Sequence, residues 1–178
     1  MNITVYLGAS DGNDPRFTEA VKELGKWIGT SGNVLVYGGS RTGLMGLLAD
    51  SALDAGAHAI DIEPQFFVDE DVHHTGLSEL IITKDMTERK TKLIELGDAF
   101  IAFPGGIGAL EEISEVMSKI ALRHIEAPCI FYNLNGYYDL LKEQLLHMIS
   151  MELSTEEKQE GISFANDLEE IKGILKSA

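Results

Sequence analysis

The sequence predicts an α/β fold in which a doubly wound parallel sheet of six to seven strands is covered by helices on both faces. Short, almost continuously apolar segments alternate with longer amphipathic segments along the chain, as is typical of strands buried on both faces of a parallel sheet. Three of the short segments end in glycine-rich loops, which suits turns from strands into helices. The length of 178 residues suits a single domain spanning 1–178.

The N-terminal half begins with a strand and a clearly bounded helix. The apolar segment "ITVYLG" at 3–8 predicts the first strand. The helix predicted at 15–32 has Pro15 at its start and Gly32 at its end, and its apolar residues recur every three to four positions. The same patterns predict the next elements: a strand at 34–39, a helix at 43–57, a strand at 58–63 and a strand at 78–85.

The C-terminal half starts with a helix whose first residues form a capping pattern. Asp85 is a candidate N-cap, and Glu88 three positions later completes a capping box for a helix at 86–97. The remaining segments predict a strand at 99–104, a helix at 108–124, a strand at 128–133, a helix at 136–150 and a last helix within 166–177.

Composition limits the classes of partner. The formal net charge of -15 argues against a nucleic-acid or anionic membrane surface, because both would repel the chain. The single Cys129 excludes an internal disulfide and fits a reducing compartment. The N-terminus lacks the basic start of a signal peptide, and no apolar stretch approaches the roughly 20 residues of a membrane span. We therefore expect a cytoplasmic protein.

Glycine-rich loops follow three predicted strands, "GASDG" at 8–12, "GGSRTG" at 38–43 and "PGGIG" at 104–108. In a parallel sheet all three meet at the carboxyl edge, where ligands bind. Each loop could be a tight turn alone, but the three glycines of 104–108 favour an anion site made of open N–H groups at a helix start. None matches the dinucleotide-binding spacing. Asp61, about 20 residues after the second loop, resembles a ribose-binding acid only weakly, because it follows a different strand.

Two cations lie at the start of the helix predicted at 86–97. Lys90 shares a stripe with Met86 and Leu93, and Arg89 lies beside it on the side that faces the core. The helix dipole disfavours cations at this end. Either both side chains extend to solvent, or they face an anion at the sheet edge. Arg89 is the better candidate for the anion, since its planar guanidinium has several donors.

Two acids follow the loop at 104–108. The helical pattern turns Glu111 toward solvent and places Glu112 at the border of the apolar stripe. Both could simply complement the helix dipole. For Glu112 a functional role is favoured, because a carboxylate one turn from a phosphate loop would lie beside the sugar of a nucleoside monophosphate. Carboxylates stabilise the positive charge that develops there when a glycosidic bond breaks.

Weaker candidates have ordinary structural explanations. His73 and His74, next to Glu70 and Asp71, lack the spacing of metal ligands. Cys129 lies in a predicted strand and is expected in the core. Three further side chains are more readily explained by packing than by ligand contact: Met45, Tyr137 and Tyr138.

The segments "YGGSRTGLMG", "MTERK" and "PGGIGALEE" resemble the Lonely Guy family of cytokinin-activating phosphoribohydrolases, many of which were once labelled lysine decarboxylases. The resemblance runs from about residue 3 to 150. It implies a Rossmann-like fold, a homodimer or dimer-based assembly, and hydrolysis of the N-glycosidic bond of an N6-modified AMP without metal or redox cofactor. It implies Arg89 and Glu112 as catalytic residues. The substrate-binding residues that it implies are Gly105, Gly106, Gly108, Ala109, Lys90, Met86 and Gly39.

The chain departs from the family pattern at three places. Ala109 replaces a threonine, which removes a hydroxyl able to bind phosphate. Asp61 and Glu63 precede Pro64, where the family has a glycine and an apolar residue, and "GGS" replaces the commoner triple glycine at 38–40. These departures leave room for a nucleotide- or cofactor-binding carrier without turnover. A dinucleotide-dependent oxidoreductase and a pyridoxal-dependent decarboxylase are further alternatives with less support.

Overall fold

The computed structural model describes residues 1–70, 74 and 76–177, and it contains one sheet of seven parallel strands. The strand order is β4-β3-β2-β1-β5-β6-β7. The strands are β1 (Asn2–Tyr6), β2 (Val34–Tyr37), β3 (His58–Pro64), β4 (Glu79–Thr83), β5 (Ala99–Ala102), β6 (Cys129–Tyr132) and β7 (Ile162–Ala165). The helices are α1 (Pro15–Thr30), α2 (Gly43–Asp54), α3 (Gln65–Asp69), α4 (Met86–Leu96), α5 (Ile107–Ala121), α6 (Asp139–Ser150) and α7 (Leu168–Ser177). The predicted doubly wound α/β fold is confirmed.

Helices cover both faces of the sheet. Buried side chains of α1, α2 and α7 pack on one face, and those of α4, α5 and the start of α6 pack on the other. Successive residues of one strand enter opposite cores: Ile101 packs under α1 and α2, whereas Phe100 and Ala102 pack under α4 and α5. This two-sided burial explains why the strands are continuously apolar rather than alternating.

The helices α1 and α2 pack unusually closely because glycine lies at their contact. A Cβ added at Gly25 would lie 2.6 Å from the carbonyl oxygen of Leu48, and one added at Gly29 would lie 2.7 Å from that of Ala52. Only glycine permits this approach of two helix backbones. The contact holds the N-terminus of α2 at the carboxyl edge of the sheet.

The start of α4 forms nearly as the sequence predicts. The N–H of Glu88 donates to Asp85 Oδ1 at 2.9 Å, so Asp85 is the N-cap. The Glu88 carboxylate, however, accepts from the N–H of Lys84 at 2.9 Å rather than from that of Asp85. The Glu88 side chain therefore reaches one residue further back than in the ordinary capping box. This cap fixes the start of α4 and so the position of Arg89 in its first turns.

Two elements have no counterpart among the predicted ones. The helix α3 has five residues directly after Pro64, and β7 has four residues at the sheet edge after a polar segment. The helix α3 is too short for a helical period to be recognised, and β7 lacks the continuous burial of the central strands, because only Ala165 of its four residues is buried. The helix predicted at 136–150 begins only at Asp139, because a 3-10 turn and Asn135, with φ of 56°, interrupt the chain before it.

None of the helices described in the structure combines the length and apolarity needed to cross a membrane.

Candidate active site

A cleft of about 590 Å³ lies at the carboxyl edge of the sheet, beyond the ends of the neighbouring strands β1 and β5. The loops after these two strands line it, and their lining residues are Gly8, Ala9, Ser10, Gly12 and Asn13 in the first loop and Pro104, Gly105, Gly106, Gly108 and Ala109 in the second. The loop after β2 does not line the cleft itself, but α2, which follows it, contributes Leu44 and Met45. The three glycine loops thus meet at one edge, and two of them form the cleft.

The loop between β5 and α5 presents bare main chain. Ideal Cβ atoms at Gly106 and Gly108 would meet no described atom within 4 Å, so the space beside both residues is open. Gly106 is the N-cap of α5, and no side chain caps this end in the described part of the chain. The first N–H groups of a 15-residue helix therefore point into open space together with its positive dipole end, which suits a phosphate.

Two neighbouring tyrosines hold this loop in place. The hydroxyl of Tyr137 donates to the carbonyl oxygen of Gly105 at 2.6 Å, and that of Tyr138 donates to the carbonyl oxygen of Phe103 at 2.8 Å. Tyr137 also lines the cleft. The sequence predicted that both residues pack and that they begin a helix. Both rings pack, since that of Tyr138 lies against those of Phe131 and Tyr137, but both residues precede α6. Their role in fixing the loop carries no sequence signal, because it depends on where β6 ends in space.

Arg89 reaches across the sheet edge from α4. Its Nε donates to the carbonyl oxygen of Ile62 at 3.1 Å, and its Nη2 donates to that of Gly38 at 2.8 Å. Its Nη1 donates to Glu112 Oε1 at 2.6 Å. A Cβ at Gly38 would overlap the guanidinium, so glycine at this position is a condition for the arrangement. Arg89 is buried and lines the cleft.

Glu112 comes from α5 and lies next to Arg89 in the cleft. Its side chain is 12% exposed, whereas that of Glu111 is 60% exposed, as the helical pattern predicts. Burial raises the pKa of Glu112, and the adjacent Arg89 guanidinium opposes that rise. The Glu112 carboxylate therefore lies in a poorly solvated environment, where it interacts strongly with any positive charge that develops nearby.

Some of the other predicted site residues line the cleft, and others do not. Met86, Gly105, Gly106, Gly108 and Ala109 line the cleft. Lys90 does not: its Nζ lies 2.6 Å from Glu111 Oε1 and 3.7 Å from Glu115 Oε2, on the outer side of α4 and α5. The positive charge that the sequence assigned to the anion site is thus held by two acids that face solvent.

Gly39 is also absent from the lining of the cleft, and its neighbour is an acid. Its φ is 45°, and a Cβ there would overlap the carboxylate of Asp61. Asp61 is fully buried behind the sheet edge, so it is not placed to bind a ribose in the cleft. Gly39 instead makes room for this carboxyl group. Asp61 and its neighbour Glu63, which is 3.9 Å from Arg89 Nε, form a buried acid pair that the sequence did not predict.

Of the minor candidates, Met45 and Tyr137 line the cleft, and the other described ones do not. His73 and Asp71 lie outside the described residues, and His74 Nε2 is 2.9 Å from Asp50 Oδ1. Within the described ranges no cluster of three or more acidic, histidine or cysteine side chains could hold a metal ion. Cys129 is buried in the core, and desolvation raises the pKa of its thiol.

Comparison with known proteins identifies the family to which this chain is similar. The family model described as "Possible lysine decarboxylase" matches residues 45–174. A cytokinin riboside 5'-monophosphate phosphoribohydrolase of Rhodococcoides fascians is 37% identical over 178 residues, covering 99% of this chain and 89% of that protein. The corresponding LOG5 protein of Arabidopsis thaliana is 36% identical over 139 residues, covering 78% of this chain and 61% of that protein. The chain thus spans about three fifths of this plant relative.

Solved structures share the fold at lower identity. The molybdenum cofactor binding protein of Rippkaea orientalis superposes with a TM-score of 0.73 at 20% identity, covering 99% of this chain and 95% of that one. The Moco carrier protein of Chlamydomonas reinhardtii gives 0.70 at 20% identity, covering 99% and 98%. These two likenesses show the fold alone. The family-model match over most of the chain, and the 37% identity over nearly all of it, show that the chain belongs to the Lonely Guy family of cytokinin riboside 5'-monophosphate phosphoribohydrolases.

Proposed function

We propose that the protein hydrolyses the N-glycosidic bond of N6-modified AMP, releasing the free base and ribose 5-phosphate. The observation that carries this proposal is the 2.6 Å contact between Arg89 Nη1 and Glu112 Oε1 beside a loop of open main chain. A buried carboxylate one helical turn from a phosphate cradle is separated from it by about the length of a ribose, which fits a nucleoside monophosphate.

The phosphate is bound by the loop at 104–108 and the N-terminus of α5. The open space beside Gly106 and Gly108 lets phosphate oxygens approach the N–H groups closely. This local arrangement has to overcome a net charge of -15. A small ligand in a cleft gains these short-range hydrogen bonds, whereas nucleic acids and anionic membranes would meet the acidic surface, so they are not the proposed partners.

Glu112 acts on the sugar. As the bond to the base breaks, the ribose gains oxocarbenium character, and the carboxylate stabilises that positive charge. The effect is larger here than in water because the side chain is mostly buried. Arg89 fixes the carboxylate and keeps it ionised, and its remaining N–H groups face the phosphate or ribose. The base lies against the apolar wall formed by Leu44 and Met45.

Turnover of isopentenyl-AMP and AMP by the pure protein tests the proposal. We expect free base to appear, and Glu112→Gln to lower kcat by about 100-fold or more while nucleotide affinity changes little. Glu111→Gln is the matched control: it removes the same charge from the neighbouring, exposed position and should keep wild-type kcat. A fully active Glu112→Gln variant would refute the role given to Glu112.

The alternative function is a nucleotide- or cofactor-binding carrier. It is favoured by Ala109, which lacks the hydroxyl of the family pattern, and by the two acids buried behind Arg89. A nucleotide that binds tightly and is recovered intact after long incubation would select the carrier over the hydrolase.

The proposal includes a homodimer, or an assembly of dimers, in the cytoplasm. Exposed apolar side chains support an interface between copies, since Ile107 at the start of α5 is 86% exposed and Leu140 on α6 is 80% exposed. Large apolar side chains left in water at this level are typical of association surfaces.

A further inference from the structure

Three carboxyl groups surround the single guanidinium of Arg89. Glu112 accepts a hydrogen bond from it, Glu63 Oε2 lies 3.9 Å from its Nε, and Asp61 lies against Gly39, directly after the Gly38 carbonyl that Arg89 binds. Asp61 and Glu63 are 0% and 1% exposed. One positive charge cannot balance three buried negative charges, because each unbalanced charge in a poorly solvated site is costly.

The polar atoms of the acid pair lack the partners that ionised carboxylates require. Both oxygens of Asp61, Oε2 of Glu63 and the hydroxyl of Tyr37 are buried without a hydrogen bond to any described residue. Tyr37 and Asp61 are directly paired across β2 and β3. Carboxylates buried in this state are normally satisfied by several donors, so the arrangement suits neutral carboxylic acids better than ions.

Among the described residues, the titratable groups around the pair come from five elements. They are Tyr37 on β2, the pair itself on β3, Arg89 on α4, Glu112 on α5, and Asp50 on α2, which acts on Tyr37. Burial is the main cause that raises the pKa of Asp61 to about 7 and that of Glu63 to about 8, and Arg89 opposes both rises. The pair therefore titrates near neutral pH.

We propose that Asp61 and Glu63 are positioning residues for Arg89, and that together they hold at least one proton while the site is active. While the pair holds this proton, the positive charge of Arg89 is available to interact with Glu112 and with the bound nucleotide. Neither acid lines the cleft, so both act through Arg89. When the proton is lost, a further negative charge behind Arg89 cancels its charge and weakens the binding of a phosphate dianion.

This inference rests on the proposed function, and the pH dependence of nucleotide binding tests it. For the wild type, the KM for isopentenyl-AMP and the Kd for AMP should rise about tenfold between about pH 7 and pH 9, with a smaller change in kcat. In Asp61→Asn/Glu63→Gln the rise should be less than about twofold. A double variant that shows the same alkaline rise as the wild type would overturn the proposal.

Three single variants separate positioning from a loss of packing. Glu63→Asp keeps a titratable carboxyl group and should keep the alkaline rise, whereas Glu63→Gln should reduce it. Asp50→Asn removes one charge at a side chain that is 62% exposed and should behave as the wild type. If Asp50→Asn also abolishes the alkaline rise in KM and Kd, the rise is caused by the net charge of the protein and the proposal fails.

Unfolding by urea gives a readout that needs no nucleotide. The folded-state pKa of each acid is raised, so its contribution to stability is complete below the unfolded pKa near 4 and is lost as the pH rises to about 8. The urea midpoint of Asp61→Asn/Glu63→Gln relative to the wild type should therefore increase from about pH 5 to pH 9. A difference that is constant with pH would contradict the retained proton, even if no nucleotide is hydrolysed and the proposed function itself fails.

Discussion

Arg89 shows how a single side chain can depend on residues that touch no ligand. Its three hydrogen bonds go to Ile62, Gly38 and Glu112, which belong to two strand ends and another helix. Two of the three acceptors are main-chain oxygens, so the backbone after β2 and β3 decides where the guanidinium lies. Substitutions at those positions should change the chemistry by displacing Arg89.

The clearest case is Gly38→Ala. The new Cβ would overlap the guanidinium, so Arg89 loses its bond to the Gly38 carbonyl and its alignment with Glu112. We expect kcat/KM to fall about 100-fold and the free energy of unfolding to fall by about 2 kcal/mol, measured by nucleotide turnover and urea unfolding.

Gly173→Ala in α7 is the control for Gly38→Ala. A Cβ there meets no described atom within 4 Å, so alanine should be neutral or slightly stabilising in this helix. Normal kinetics in Gly38→Ala would mean that Arg89 can move without consequence, and its assigned role would be wrong.

The residue pattern predicted part of this site. The helical wheel separated Glu112 from Glu111 because neighbouring helical residues point about 100° apart. It could not separate Arg89 from Lys90, because the choice depends on α5: Glu111 and Glu115 bind Lys90 on the outside. The burial of Asp61 was equally hidden, since it depends on a glycine at position 39 of another strand end.

The helix α5 links the proposed phosphate-binding loop to the proposed catalytic carboxylate of Glu112 in one rigid element. Gly106 begins it, Ala109 lies in its first turn beside the cleft, and Glu112 follows one turn later. A helix fixes the spacing between these residues at 1.5 Å per residue along its axis. Changes in its first turn should therefore alter phosphate binding without moving Glu112.

Ala109→Thr adds a hydroxyl to this turn. The hydroxyl can donate to the phosphate, and one such hydrogen bond contributes about 1 kcal/mol. The expected result is a KM about fivefold lower with kcat unchanged, measured by steady-state kinetics on isopentenyl-AMP.

Ala109→Val is the matched control, since valine has the same branched shape without the hydroxyl. Ala109 is only 4% exposed, so both variants add similar bulk and both report the cost of fitting it. The hydrogen-bond explanation fails if the threonine and valine variants have the same KM.

Element prediction from sequence succeeded where burial is two-sided and failed for the five-residue helix α3 and for β7, a strand at the sheet edge that is only partly buried. The central strands are continuously apolar because helices cover both faces, and this pattern predicted them and the parallel sheet. The helix α6 was predicted too early, because the left-handed Asn135 and the turn around it depend on Asn133, whose amide oxygen accepts from the N–H of Tyr138. Such a local side-chain bond has no periodic signature.

The net charge of the whole molecule repels the anionic nucleotide that its cleft is proposed to bind. The chain has 29 acidic and 14 basic residues, and the net charge is -15. Its long-range field therefore repels a nucleotide dianion, whereas the N–H groups of the loop at 104–108 attract it only at short range. Salt acts differently on the two interactions, because screening removes the distant repulsion and leaves contacts inside the cleft nearly unchanged.

Ionic strength should therefore favour binding. Between about 10 mM and 150 mM KCl the Debye length falls from about 30 Å to 8 Å, and we expect the Kd for AMP, measured by calorimetry, to fall about threefold. Adenosine lacks the phosphate charge, so its Kd should stay constant over the same range. An AMP affinity that weakens with salt would show that local cations, rather than the acidic whole, dominate the field at the cleft.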